Sequence, residues 1–445
     1  MFGNILSTFF SRVLTMLIMF GIVILNANIF GAEGLGTIGL MVLNITILQL
    51  VTSFIGGTTL VYLIPRRDLK KLLFFTVIWA ILGNIGGLIV LKSLALVPKN
   101  YTLLLLIISI FFSFNSINMT LLQAFEKIKK FNFFQIFQAV FLILSIGCFL
   151  LIEKIQNQKF GVDLYFYSFL ISYLGTFLLS SFAVIKAIRN QKVNSEIEKD
   201  SKSWMGQLKE LVTLGFWVQI ANLAQLLNYR LSYYFIEYFV GRKPLGIFDL
   251  GTKISEAIWV FPKSLCLVQY ARLSNNDDAD YARKITIIFT KIASLFTLLV
   301  LVVLLLIPGS FFTFIFGAEF MDVKAIIYAL APGIFFLSCL TILSHHFAAK
   351  GEYWKNSLSS FIGLIFTAVG GYIFIPMAAK SGYVNAIFIA GIVTSVSYLM
   401  SLIVTILFFH RESKLKLHDF LISDDEFLVL KTEIQKLLKR KTPNL

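Results

Sequence analysis

The stretch Thr102–Phe125, TLLLLIISIFFSFNSINMTLLQAF, holds no ionisable residue over a length that carries a helix across the hydrocarbon core of a bilayer. Runs of this kind recur along the whole chain. Upstream lie Ile5–Phe30, Leu35–Ile64 and Leu72–Leu96, and downstream Phe131–Ile152 and Leu164–Ile185. After the hydrophilic stretch Lys186–Glu210 the pattern resumes with Leu211–Val240, Leu245–Tyr270, Ile285–Pro308, Lys324–Phe347, Ser357–Ala379 and Tyr383–Phe409. The pattern predicts an all-α integral membrane protein of about twelve transmembrane helices, half of them on each side of the central polar stretch. Domain bounds follow: an N-terminal lobe over 1–190, a linker over 191–210, a C-terminal lobe over 211–410 and a basic tail over 411–445.

Composition agrees. The 445 residues are 58% hydrophobic and 14% charged, with a mean hydropathy of +0.83, far from the balance of a soluble domain. The net charge of +15 reads as topology rather than as a nucleic-acid footprint, because it alternates between loops. Arg66, Arg67, Lys70 and Lys71, then Lys127, Lys129 and Lys130, the segment 186–209, Arg272, Arg283 and Lys284, Lys350 and Lys355, and the tail from Arg411 share one side. The other side holds only Lys92, Lys99, Lys154, Lys159, Arg242, Lys243, Lys324 and Lys380, a bias of about threefold that assigns both termini to the cytoplasm. The tail can form an amphipathic helix over Asp419–Lys441 that lies on anionic membrane lipids.

Ionisable residues at bilayer depth are costly and mark functional interiors. In the seventh run Gln219, Asn222, Arg230 and Tyr233 fall on one helix face, with Arg230 near the midplane. In the eighth, Asp249, Lys253, Glu256 and Lys263 also share a face, and Asp249–Lys253 and Lys253–Glu256 have the spacing of intrahelical pairs. Such pairing would leave Arg230 and Lys263 uncompensated. In the first run Thr8, Arg12, Thr15 and Asn26 line up, whereas Lys291 is shallow enough to snorkel. Cations outnumber Asp249 and Glu256, so the expected cavity is cationic and favours an anionic substrate, with Arg12, Arg230, Lys253, Lys263, Gln219 and Asn222 as substrate-binding candidates.

Other motifs carry less. Cys148, Cys266 and Cys339 form no CxxC pair, and the adjacent His345 and His346 lack metal-ligand spacing, so no metal is expected. No P-loop occurs, and no cofactor is expected. The acidic NNDDAD of Asn275–Asp280 reads as a solvated turn.

An offset of 210 lays IFGAEGLG, Ile29–Gly36, over FVGRKPLG, Phe239–Gly246, and matches Gly31 with Gly241, Leu35 with Leu245 and Gly36 with Gly246. Both segments join the first and second helices of their half, the pattern of a parallel repeat. These segments, with GAEGLGTIGL at Gly31–Leu40, VGRKPLGIFDLGTKI at Val240–Ile254 and IFGAEF at Ile315–Phe320, resemble the polysaccharide-type branch of the multidrug/oligosaccharidyl-lipid/polysaccharide exporter superfamily, the Wzx-like O-antigen and capsule flippases. The resemblance covers Ile5–Phe409. It implies two MATE-like six-helix bundles around a central cavity, which move an undecaprenyl-diphosphate-linked glycan across the bacterial inner membrane by alternating access. It further implies H⁺ or Na⁺ as coupling ion, with Asp249 and Glu256 as candidates, and other membrane proteins of glycan assembly as partners. Where relatives carry an acidic residue before the seventh-helix arginine, this chain has Tyr229. A drug or cation antiporter of the same superfamily is the alternative, which a net cationic cavity disfavours. A polymerase or ligase would require a large periplasmic loop, and the longest periplasmic gap is Glu153–Asp163.

Overall fold

The computed structural model describes residues 2–64, 66–157, 161–190, 203–273 and 278–413. The tail helix, most of the linker and part of the NNDDAD turn lie outside these. The described residues are helical throughout and contain no strand. The first group comprises α1 (Phe2–Thr52), α2 (Gly57–Leu63), α3 (Leu69–Ser93), α4 (Thr102–Ala124), α5 (Ile128–Gln156) and α6 (Asp163–Asn190). The second comprises α7 (Trp204–Phe239), α8 (Arg242–Ala257), α9 (Val260–Leu273), α10 (Ala279–Leu306), α11 (Gly309–Phe316), α12 (Val323–Ala349), α13 (Tyr353–Ala379) and α14 (Tyr383–Ser413).

Ten of the described helical segments are long and apolar enough to cross a membrane, and the chain is a multi-pass membrane protein. Two features reconcile ten with the expected number. The predicted gap between Phe30 and Leu35 narrows to one non-helical residue, Gly31 (φ 65°), which divides α1 into two bilayer-length arms. The predicted helix Leu245–Tyr270 is split into α8 and α9, of 16 and 14 residues, each too short to span alone. One further short helix, α11, was not foreseen.

Helices α1–α6 pack mainly among themselves, α4 and α5 on α6 and α1 on α3, α4 and α5; so do α7–α14, where α14 packs on α12 and α13, and α13 on α7. Without a hydrophobic force between helices inside lipid, such packing depends on small residues and interhelical hydrogen bonds. Both are present. Asn228 of α7 donates to the Ser401 hydroxyl at 3.4 Å and accepts from Thr367 at 3.1 Å and from Ser397, tying α7 to α13 and α14. In the first group Gln49 donates to Ser116 at 2.9 Å and Asn84 to Ser113 at 3.0 Å.

The two groups meet chiefly where the second arm of α1 crosses α8. A Cβ on Gly246 would lie 1.7 Å from the Ala32 carbonyl oxygen, and one on Gly36 would lie 2.2 Å from that of Arg242, so backbone touches backbone. Only glycine allows this approach. Because α8 is enclosed by α1 and α12, nearly all of Pro244–Ser255 is buried, and the Asp249 carboxylate faces protein instead of lipid.

A candidate substrate cavity and the charges around it

The side of the fold that carries Gly31, Gly241 and Glu319 is tightly closed. Gly31 takes a left-handed backbone conformation that ends the first arm of α1, which leaves the backbone N–H groups at the start of the second arm without intrahelical acceptors. Glu319 reaches across from the second group and accepts from the Ala32 N–H at 2.8 Å, while Lys243 donates to its other oxygen at 2.8 Å. These bonds hold the Glu319 carboxyl below the usual carboxylate range, the Lys243 bond contributing most. Asn28 donates to the Ile315 carbonyl at 2.8 Å, and the Tyr234 hydroxyl to Asn44 at 2.6 Å. The glycines aligned by the internal repeat, Gly31 and Gly241, both have positive φ and both stand directly before the helical segments that cross here.

At the opposite end the groups also touch backbone to backbone, where a Cβ on Gly215 would lie 2.0 Å from the Phe54 carbonyl oxygen. Arg67 donates to Glu210 at 2.9 and 3.1 Å, and the Phe54 ring packs on Phe216 at 5.9 Å. The Gly57 position, where α1 gives way to α2, lies against the Gln219 amide.

A cavity of about 640 Å³ opens within the first helix group, in the usual range for ligand sites. The first arm of α1 contributes Arg12 and Thr15, α4 contributes Asn115, Ser116, Thr120 and Gln123, and α5 contributes Gln135 and Gln138. Phe112, Phe131, Phe134 and Tyr173 complete an aromatic wall. Arg12 is the single charged residue among the described residues of this lining.

The charges expected to line the cavity divide into paired and unpaired. Arg230 is not uncompensated: its guanidinium engages Glu256 through two bonds of 2.7 and 2.6 Å, side chains that are 24% and 16% exposed. This is the bidentate geometry in which an arginine–carboxylate pair is strongest. Lys253 donates to Asp249 at 2.6 Å, and the Tyr233 hydroxyl donates to the other Asp249 oxygen at 3.0 Å. Asp249 is 2% exposed and packs against Gly39 of α1. Lys291 is buried and engaged within the protein rather than snorkelled to a surface. Arg12 and Lys263, by contrast, are exposed and outside the ion pairs seen among the described residues. The Lys263 ammonium sits 3.6 Å over the Trp259 ring, a cation–π contact that leaves its charge available. It lies within electrostatic reach of Arg12, Arg230 and Glu256.

Gln219 is buried and accepts from Asn222 at 3.1 Å, while Asn222 is exposed. Tyr229, where an acidic residue was expected from relatives, stacks edge-on with Trp259 and Tyr398 and receives a bond from Gln225 at 2.9 Å. The Thr8 side chain lies outside the described residues. The amide-rich lining on α4 and α5 and the Glu319 bridge were not anticipated from sequence.

No protein-family model and no curated protein matches the chain. Among solved structures it is similar to the lipid II flippase MurJ in an inward closed conformation, with a TM-score of 0.69 and 16% identity over 100% of this chain and 94% of that one. It is also similar to an inward-facing multidrug resistance MATE family transporter of the MOP superfamily, at 0.65 and 15% over 91% and 94%. A third, a MOP superfamily transporter from Pyrococcus furiosus, gives 0.62 and 16% over 93% and 96%. The chain therefore has the fold that MurJ and the MATE transporters share.

Proposed function

We propose that this protein is a flippase that carries an undecaprenyl-diphosphate-linked oligosaccharide across the bacterial inner membrane by alternating access. The observation that carries the reading is the pair of cations outside the ion pairs seen among the described residues, Arg12 of the first helix group on the cavity lining and Lys263 of the second within electrostatic reach of it. A diphosphate held between them would accept charge-assisted hydrogen bonds in a space shielded from bulk water. The fold shared with a lipid II flippase supports a lipid-linked cargo. Lobes 1–190 and 211–410 would be the moving halves, with the side that carries Gly31 and Gly241 facing the periplasm and 411–445 a basic cytoplasmic tail. Asp249 and Glu256 each hold a cation of the chain itself, so an incoming H⁺ or Na⁺ would act by displacing Lys253 or Arg230. That occupancy disfavours an organic-cation antiporter.

Losing one charge-assisted bond costs about 1.5–3 kcal/mol, or roughly 10- to 100-fold in affinity. Arg12→Ala and Lys263→Ala should each cut surface glycan accordingly in cells lacking the native transporter, and the double variant should abolish export. Membrane abundance should hold, since neither residue closes an ion pair. Full export by a stable double variant would overturn the reading.

Orientation has its own test. A periplasm-active reporter fused within Glu153–Asp163 should give signal, and one fused within Lys192–Lys202 should give none. Swapped signals would reverse the assigned sides.

A further inference from the structure

Only Ile258 and Trp259 separate α8 from α9, and the Trp259 side chain is fixed from two sides. Its indole N–H donates to the Thr341 hydroxyl of α12 at 2.6 Å, and that hydroxyl donates to the Leu337 carbonyl at 2.6 Å, so the polar edge of the ring is satisfied. The Tyr229 ring of α7 meets the indole edge-on at 5.6 Å and is itself held by the bond from Gln225 and by Tyr398. Two residues further on, Phe261 stacks on Phe296 of α10 at 3.8 Å. The break in the eighth span is therefore a fastened corner that presents one aromatic face.

Lys263 follows one helical turn after Trp259, and its backbone N–H bonds the Trp259 carbonyl at 3.2 Å, so the two side chains share a face. The ammonium lies 3.6 Å from the indole centroid, on a side chain that is exposed. A lysine stem has many rotamers, and an unsupported one would be ordered only by the ligand it meets. A carboxylate could order it too, but would neutralise it. The carboxylate within reach, Glu256, has both oxygens on Arg230. The indole instead attracts the ammonium through its ring quadrupole, which leaves the positive charge and N–H donors for an anion.

We propose that Trp259 is a positioning residue for the substrate's anion: its indole face holds the Lys263 ammonium in place before the cargo arrives, while Thr341 and Tyr229 fix the plane of the ring. The inference rests on the reading of the protein as a carrier of a diphosphate-linked glycan. It adds the device that keeps the second cation of that reading both ordered and charged. Without the platform the ligand must order the lysine stem as it binds, which lowers affinity by about 2- to 10-fold.

The test uses the full chain in lipid nanodiscs, undecaprenyl diphosphate as the probe, and tryptophan bearing a rising number of ring fluorines inserted at position 259. Fluorines withdraw electrons from the ring face and weaken its hold on a cation while nearly preserving its shape, so a purely structural role would not respond. Affinity should fall stepwise along the series, by about 2- to 10-fold in all, and the series should be flat in a Lys263→Met background. Trp259→Phe, which keeps an aromatic face, should bind the lipid more tightly than Trp259→Leu. A flat series in the otherwise native chain, or the same decline in Lys263→Met, would overturn the positioning role and leave the carrier reading standing. Unchanged affinity in Lys263→Met itself, or no binding of the lipid by the native chain, would instead overturn the carrier reading.

Discussion

Glu256→Ala should deplete the protein from the membrane, Arg230→Ala should do the same, and the double variant Arg230→Met/Glu256→Leu should restore abundance. The two side chains lie on different helices, bond through both ends of the guanidinium and carboxylate, and are largely withdrawn from solvent. Removing one partner of such a pair leaves a charge without compensation and costs about 3–5 kcal/mol, while replacing both by apolar groups is often neutral. A loss of that size is a large share of a typical stability and lowers abundance in cells. Membrane-fraction abundance and thermal unfolding in detergent provide the readouts. If instead each single variant kept normal abundance and lost export, Arg230 would act on substrate directly, and the pair would be a resting arrangement that cargo opens.

The second large effect is expected at the crossing of α1 and α8. Gly246→Val places its first added carbon on the Ala32 carbonyl oxygen, a contact of backbone with backbone that no rotamer relieves. Ordinary overpacking costs about 1–3 kcal/mol, and here the two helices must separate. The closed side should then leak: a cysteine placed at Asn26, a position 2% exposed in the closed arrangement, should become reactive to a membrane-impermeant thiol reagent in intact cells, and export should fall at least tenfold. Gly21→Ala is the control, since an added carbon there meets nothing within 4 Å. Wild-type labelling and wild-type export by Gly246→Val would show that the crossing is not a seal.

Much of the fold was legible because apolar length alone signals a membrane span, and Thr102–Phe125 needs no partner to be recognised. The split of the eighth span was hidden for the opposite reason. Its residues Asp249, Lys253 and Glu256 are sheltered by α1 and α12, and a sheltered helix need not read as apolar. Within the site, Asp249–Lys253 was visible because its spacing of four is set by one helix. Arg230–Glu256 was not, because it depends on how α7 and α8 lie against each other. The amide lining gives a weaker signal because uncharged polar residues cost less than ions inside a membrane, although Gln135 and Gln138 stand one turn apart, as do Ser116, Thr120 and Gln123, a repeat of uncharged polar residues that marks one face of each helix.

Arg12 and Lys263 belong to different helix groups, and this separation has a mechanical consequence. Two like charges within electrostatic reach repel, so under the proposed reading the empty protein would be loaded like a compressed spring at this point. An anion set between them would reverse the sign of the force and draw α1 and α9 together. Since Coulomb energy falls as the inverse of distance, any motion that parts the two helices weakens the grip on the cargo at the same rate. Ligand tightness and protein shape would then be one variable: the substrate acts as the clasp of its own container, and opening the container is the act of letting go.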